Sequence, residues 1–171
     1  MRPVKILAIV LIVMACVGCD QAAKLTARSL LGNGQSVFLA NGHVMFRFVE
    51  NEGAFLGLGE RMPRAVRTVA FIAFPLLVLA LMIVSIVRRG DIGWTMLVGF
   101  SMLLGGGLGN LVDRIFRAGS VRDFMAFGAG RLWTGIMNLA DLCVMAGCLL
   151  LLLSAEGWTS SRGSSPEAPA G

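Results

Sequence analysis

The sequence predicts an α-helical membrane protein with four transmembrane helices and a small strand-rich extracytoplasmic lobe between helices 1 and 2. Three observations carry this. Hydrophobic residues make up 56% of the 171 and charged ones 15%, with a mean hydropathy of +0.78, too apolar for a soluble domain of this length. Three segments stay apolar over about 20 residues, the length that crosses a hydrocarbon core of about 30 Å at 1.5 Å per residue. Between the opening apolar run and the first of these lies a stretch of β-favouring residues broken by turn signals.

The opening segment, residues 4–24, is the fourth expected span. Its uninterrupted apolar run from Ile6 to Cys19 has 14 residues, as short as the core of a signal peptide. MACVGCDQAAK, Met14 to Lys24, overlaps its end, and Val13-Met14-Ala15 before Cys16 has the form of a lipoprotein cleavage site. Cys16, Asp20 and Lys24, however, recur every fourth residue on one helix face, which suits a retained helix ending in an ion pair at the interface. From Leu25 to Arg67 the pattern changes to turns (LGNGQ, LANGH) and strand-like runs (VFLA, HVMFRFVE, GAFLGL), with Asn41-Gly42 as a hairpin signal. Helices are expected at about 68–87, 92–111 and 135–154, with a tight turn at Arg88-Arg89-Gly90-Asp91 and a longer loop from Arg114 to Thr134. Residues 1–156 form a single domain on this reading. The Ser-, Gly-, Ala- and Pro-rich tail, 157–171, is expected to be disordered.

The net charge of +5 and pI near 9.7 do not point to nucleic acid, because the basic residues are scattered over loops between apolar helices and form no stripe. Contacts with lipid headgroups account for them better. With both termini in the cytoplasm, Arg2, Lys5, Arg88, Arg89 and Arg162 lie inside and the other ten of the fifteen basic residues outside. That bias runs against the positive-inside rule, so several outer arginines, Arg114, Arg122 and Arg131 among them, serve a site if this orientation holds.

Carboxylates near hydrocarbon are costly and need a partner or a task. Asp91 sits beside arginines in a turn and reads as structural, while Asp20 faces Lys24. Gly106, Asn110 and Asp113 share a helix face, and Gly105 and Gly109 are spaced for close helix approach. Asn138 and Asp141 share a face at the start of the last helix, where Asp141 has no opposite charge within a turn. Its natural companion is Asp123 in the preceding loop. Two adjacent carboxylates cannot both ionise comfortably, which suits one as base and one as acid in peptide hydrolysis; each could equally cap a helix or pair with arginine.

Four segments in this order, CDQAAK, FVENEGAFLGL, GGGLGNLVDRIFRAGSVRDF and MNLADLCVMAG, resemble the lipoprotein signal peptidase (signal peptidase II) family over roughly Ile6 to Leu153. The resemblance implies a four-helix aspartic endopeptidase of the bacterial inner membrane, cutting prolipoproteins just before a diacylglyceryl-modified cysteine. It implies that Asp123 and Asp141 are the catalytic dyad, with Asp20, Lys24, Asn51, Gly53, Asn110, Arg114, Asn138 and Ala140 supporting the site. Its partners would be diacylglyceryl prolipoproteins and membrane lipids, the protein would act as a monomer with its active site near the outer face, and neither metal nor organic cofactor is required. Two positions depart from the pattern: Arg122 stands where the family usually has an apolar residue, and Leu142 where a small polar one is common. A paralogue with altered substrate range, a non-catalytic scaffold or small transporter, and a lipoprotein product are the rival readings. The four cysteines are expected to be buried small apolar thiols, and His43, the only histidine, a surface or packing residue.

Overall fold

The computed structural model describes residues 2–53, 62–88 and 92–162. Four helices run through it: α1 (Pro3–Leu31), α2 (Arg64–Arg88), α3 (Trp94–Phe116) and α4 (Leu139–Arg162). The first three are long and apolar enough to cross a membrane, and the Leu139–Ser154 part of α4 is a shorter apolar helix. The opening segment is therefore one continuous helix of 29 residues, starting with Pro3, whose missing N–H costs nothing in a first turn. It runs seven residues beyond the expected end at 24. The last helix continues to Arg162, past the tail boundary expected at 157, and residues 163–171 lie outside the described residues.

The strand-rich lobe is a four-stranded antiparallel sheet, β1 (Ser36–Leu39), β2 (Val44–Asn51), β3 (Val121–Ala129) and β4 (Leu132–Trp133), in that order. The Asn41-Gly42 hairpin forms with Leu39 opposite Val44, and Ala40, Asn41 and Gly42 all take positive φ to close it. Half of the sheet was not anticipated: β3 and β4 come from the stretch 114–134, expected as a loop between the third and fourth helices. Val121 to Phe127 is a largely apolar run whose backbone finds partners on β2, in a register from Val44 opposite Phe127 to Asn51 opposite Val121, with a bulge between Phe46 and Val49. His43 is exposed and ties the hairpin to β3: its Nδ1 lies 2.9 Å from the Gly128 carbonyl, and the Gly128 N–H donates to the His43 carbonyl. The GAFLGL run and the Arg89-Gly90-Asp91 turn fall largely on residues 54–61 and 89–91, outside the described residues.

Helix α3 is the hub, and its glycines explain how. Successive residues point about 100° apart, so a glycine run can clear space on several sides at once. A Cβ on Gly105 would lie 2.5 Å from Cys16 Cβ of α1, one on Gly106 would press on the Ala140 carbonyl of α4 and lie 2.9 Å from Val144 Cγ2, and one on Gly107 would lie 2.8 Å from Leu79 Cδ2 of α2. Three consecutive glycines thus admit three different helices. Buried Leu97, Leu104 and Leu111 fill the bundle beside Leu79 and Ile86 of α2. A second cluster, Ala27, Phe124, Met125 and Met137, with Leu142 packed against it, joins the sheet to the helix ends.

Helix α2 carries a π-helical turn, Val69–Ala73, just before Pro75. Proline removes the bond to the carbonyl four residues back and collides with it, and the wider turn relieves both. The cysteines differ from expectation: Cys16 and Cys143 are half-buried, Cys19 and Cys148 exposed, all free. Lipid is as apolar as a helix interface, so an apolar thiol on a spanning helix need not face inward.

Thermal unfolding in detergent should separate two glycines. Gly106→Ala is expected to destabilise by about 1–3 kcal/mol through overpacking. Gly18→Ala, where nothing lies within 4 Å, is expected to stabilise by about 0.5–1 kcal/mol through helix propensity.

Candidate active site

Four helix ends and the sheet meet at one end of the bundle. Asp20, Gln21 and Lys24 lie in the C-terminal half of α1, Phe71 and Pro75 in the N-terminal half of α2, Asn110, Asp113 and Arg114 at the C-terminal end of α3, and Asp141 in the first turn of α4. Between α2, α3, α4 and the sheet lies a cavity of about 270 Å³ lined by Asp123, Asp141, Asn51, Asn110, Arg114 and Phe71 among others.

What brings Asp123 beside Asp141 is backbone pairing. The Met137 carbonyl accepts from the N–H groups of Phe124 and Met125, and the Met137 N–H donates to the Met125 carbonyl at 2.7 Å. The residue after Met137 is Asn138, which caps α4: its Oδ1 accepts the Asp141 N–H at 3.0 Å, and Asp141 Oδ2 accepts the Asn138 N–H at 3.1 Å. This reciprocal cap is a capping box with aspartate in the place usually held by glutamate or glutamine, and it locks Asp141 to the turn that β3 holds. Asn138 thus touches both carboxylates, Asp141 through its backbone N–H and Asp123 through its side chain, whose Nδ2 donates to Asp123 Oδ1 at 2.6 Å. Asp123 Oδ2 accepts from Asn51 Nδ2 at 2.9 Å, and Asp141 Oδ1 accepts from Asn110 Nδ2 at 2.8 Å.

Each carboxylate is thus held by amides, and among the described residues no cation forms an ion pair with either. Burial pushes the Asp123 carboxyl up to about 6, with the Asp141 charge adding to the rise and the hydrogen bonds from Asn51 and Asn138 opposing it. Such a group can hold a proton near neutral pH.

Beneath this layer lies a second, charged one. Lys24 Nζ contacts Asp20 Oδ2 at 2.7 Å, Asp113 Oδ2 at 3.2 Å and Asn110 Oδ1 at 3.1 Å, so its three donors are used. Asp20 Oδ1 accepts the Ala140 N–H at 3.0 Å, satisfying a first-turn donor of α4. Asp20 and Lys24 form the expected ion pair, and they do so fully buried within the protein. A Cβ at Gly109 would sit 2.9 Å from Asp20 Oδ2, so that glycine makes room for the pair. Arg114 reaches the other wall: Nη2 donates to the Gly53 carbonyl at 2.6 Å, Nη1 to the Gly119 carbonyl at 2.8 Å, and its guanidinium lies 4.9 Å from the Phe71 ring centre. Gly53 N–H in turn donates to Asn51 Oδ1 at 3.0 Å.

All ten residues singled out from the sequence, Asp20, Lys24, Asn51, Gly53, Asn110, Arg114, Asp123, Asn138, Ala140 and Asp141, therefore belong to one hydrogen-bonded network. Sequence reasoning gave no role to Gln21, whose Nε2 donates to Asp20 and to the Gly109 carbonyl, and it did not pair Arg122, one of the outer arginines expected to serve a site, with Asp113. Gln21 lay within the CDQAAK segment and Asp113 on the face shared with Asn110. Nothing in their spacing could say that a strand arginine meets them. Among the described residues, no three His, Cys, Asp or Glu side chains are grouped so as to hold a metal ion.

A family model described as signal peptidase (SPase) II matches residues 12–156. The lipoprotein signal peptidase of Bifidobacterium longum (strain DJO10A) is 33% identical over 156 residues, spanning 85% of this chain and 79% of the relative. That of Halothermothrix orenii is 34% identical over 145 residues, 84% and 91% of the two chains, and that of Treponema pallidum (strain Nichols) 32% over 142, 79% and 75%. A bacterial membrane enzyme solved by the in meso method at 2.3 Å resolution has the same fold, with a TM-score of 0.80 over 94% of each chain at 23% identity. The four-helix bundle, the sheet laid over one end and a sequence match running through nearly every element agree: the chain belongs to the signal peptidase II family of aspartic peptidases.

Proposed function

We propose that this peptidase removes signal peptides from bacterial prolipoproteins before the diacylglyceryl-modified cysteine, with Asp123 and Asp141 as its catalytic pair. The observation that carries the assignment is that two carboxylates from β3 and α4 line one cavity, joined through Asn138, whose side chain donates to Asp123 and whose backbone N–H donates to Asp141, and that neither forms an ion pair with a cation among the described residues. Asp123, with its raised pKa, holds the shared proton and Asp141 acts as base. A water between them loses a proton to Asp141 and attacks the scissile carbonyl. Asp123 stabilises the developing oxyanion and the proton is delivered to the leaving amine.

Asn138, Asn51 and Asn110 orient the two carboxylates. Lys24 and Asp20 support Asn110 and the first turn of α4 from beneath, and Arg114 holds Gly53 against the cavity. Every group in this scheme comes from one chain, in keeping with a monomer. The apolar helix faces suit the lipid chains of the substrate. The substrate is exported, so the cavity end of the bundle belongs at the outer face of the inner membrane, with both termini in the cytoplasm.

Three outcomes test this. Cleavage of a diacylglyceryl prolipoprotein should fall at least about 100-fold in Asp123→Asn and in Asp141→Asn, and be unchanged in Glu50→Gln, an exposed acid on β2; parental activity in either dyad variant would sink the assignment. Reporters fused at residues 45 and 125 should both read outside, and an inside signal at 125 would separate the dyad from its substrate. The third outcome concerns pH. An ordinary aspartate titrates near 3.8 and Asp123 near 6, so the fold binds this proton more tightly than the unfolded chain does. That contribution is fully present below about pH 4 and is lost as pH rises through 6. Asp123→Asn has no proton to lose, so its Tm relative to the parent should rise between pH 4 and 7, by the equivalent of at most about 3 kcal/mol. A difference that does not change with pH would contradict the raised pKa.

A further inference from the structure

The Asp113–Arg122 pair does not line the cavity, yet it sits one residue from Asp123. Successive side chains of a strand point to opposite faces. Asp123 turns toward Asn51 and Asn138, and Arg122 toward α3 and α1. There its Nη2 donates to Asp113 Oδ1 at 2.6 Å and its Nε to Asp113 Oδ2 at 3.3 Å, a two-pronged fork, while the Arg122 backbone N–H donates to the same Oδ2 at 3.0 Å. Nη2 also reaches Gln21 Oε1 of α1 at 2.7 Å. Asp113 therefore grips residue 122 by side chain and main chain together. The strand cannot slide or turn about its axis without breaking both grips.

We propose that Arg122 is a positioning residue for the reaction, a buried clamp between β3 and helices α1 and α3 that sets where Asp123 stands relative to Asp141. The proposal rests on the dyad reading above. The arginine is 2% exposed and Asp113 1%, so the clamp is not a surface ion pair that solvent would loosen. Arg122 Nη1 is buried without a partner among the described residues, so the site is not built for the greatest stability. With Asp20 and Lys24 it completes a buried set of two acids and two bases, and an apolar residue at 122 would leave the two acids with Lys24 and only the half-buried Arg117, whose Nε lies 3.7 Å from Asp113 Oδ1. An error of about 1 Å in the placing of a reacting group can cost about 100-fold in rate, so a clamp one residue away has a rate to protect.

The test uses the full-length enzyme in detergent with a diacylglyceryl prolipoprotein. Arg122→Leu alone leaves the buried Asp113 without its two-pronged partner, with only Lys24 and the longer contact to Arg117, and can fail to fold, so the deciding variant is Asp113→Asn combined with Arg122→Leu, which keeps Asp20 and Lys24 balanced. This pair variant should fold and melt within a few degrees of the parent, keep KM within about threefold and lose about tenfold or more in kcat. Arg122→Lys, which keeps the charge but cannot fork to Asp113 and Gln21 together, should recover part of kcat. A pair variant with parental kcat, or one in which only KM rises, would overturn the clamp. Asp123→Asn and Asp141→Asn are measured beside it. If they cleave normally, the dyad reading falls; if they are inactive while the pair variant works as the parent does, only the clamp falls.

Discussion

The ammonium group of Lys24 is the contact on which the rest depends. A charge taken out of water into a helix bundle costs several kcal/mol unless its donors are all used and opposite charge lies close. Lys24 meets both conditions only if α1 and α3 come together: Asp20 is its own neighbour one turn away, but Asp113 and Asn110 belong to α3. Asp20 in turn takes the Ala140 N–H, which binds α4 to the same point. Removing one member of such a set typically costs about 3–5 kcal/mol, so these polar contacts fix the relative height of three helices that apolar packing alone would let slide.

Close approach is the other requirement, and the glycines of α3 provide it. Gly105 admits α1, Gly106 admits α4 and Gly107 admits α2, while Gly109 opens the space that Asp20 occupies. Lipid gives helices no hydrophobic reason to associate, so contact area and hydrogen bonds must do it. A bundle held this way can leave apolar residues, cysteines included, on its outside.

The charged layer and the amide layer have different tasks. Lys24, Asp20, Asp113 and Arg122 neutralise one another below, and Asn51, Asn110 and Asn138 present only neutral donors to the two carboxylates above. A cation directly on Asp123 would hold it ionised and prevent a shared proton. Amide donors orient it at less electrostatic cost, and burial then raises its pKa to about 6. Charge that stabilises the bundle is thus kept one residue away from the proposed catalytic carboxylate Asp123.

Spans of membrane length were legible because hydrocarbon imposes a simple rule on composition, and Asp20, Lys24, Asn110, Arg114, Asn138 and Asp141 drew notice because a polar residue at the end of an apolar helix needs a reason to be there, whereas Asn51, Gly53 and Ala140 came only from the family resemblance. The hairpin at Asn41-Gly42 was legible too, from local turn chemistry. What the sequence could not determine were the long-range partners. Strand β3 read as a loop because its pairing residues are on β2, some seventy positions earlier, and on the Met137 turn. Arg122 read as a departure from a pattern because its partners, Asp113 and Gln21, lie on two different helices. Residue type and spacing decided which groups this protein has for chemistry. Only the tertiary structure decided which of them touch, because a hydrogen bond depends on the meeting of atoms that the chain order keeps far apart.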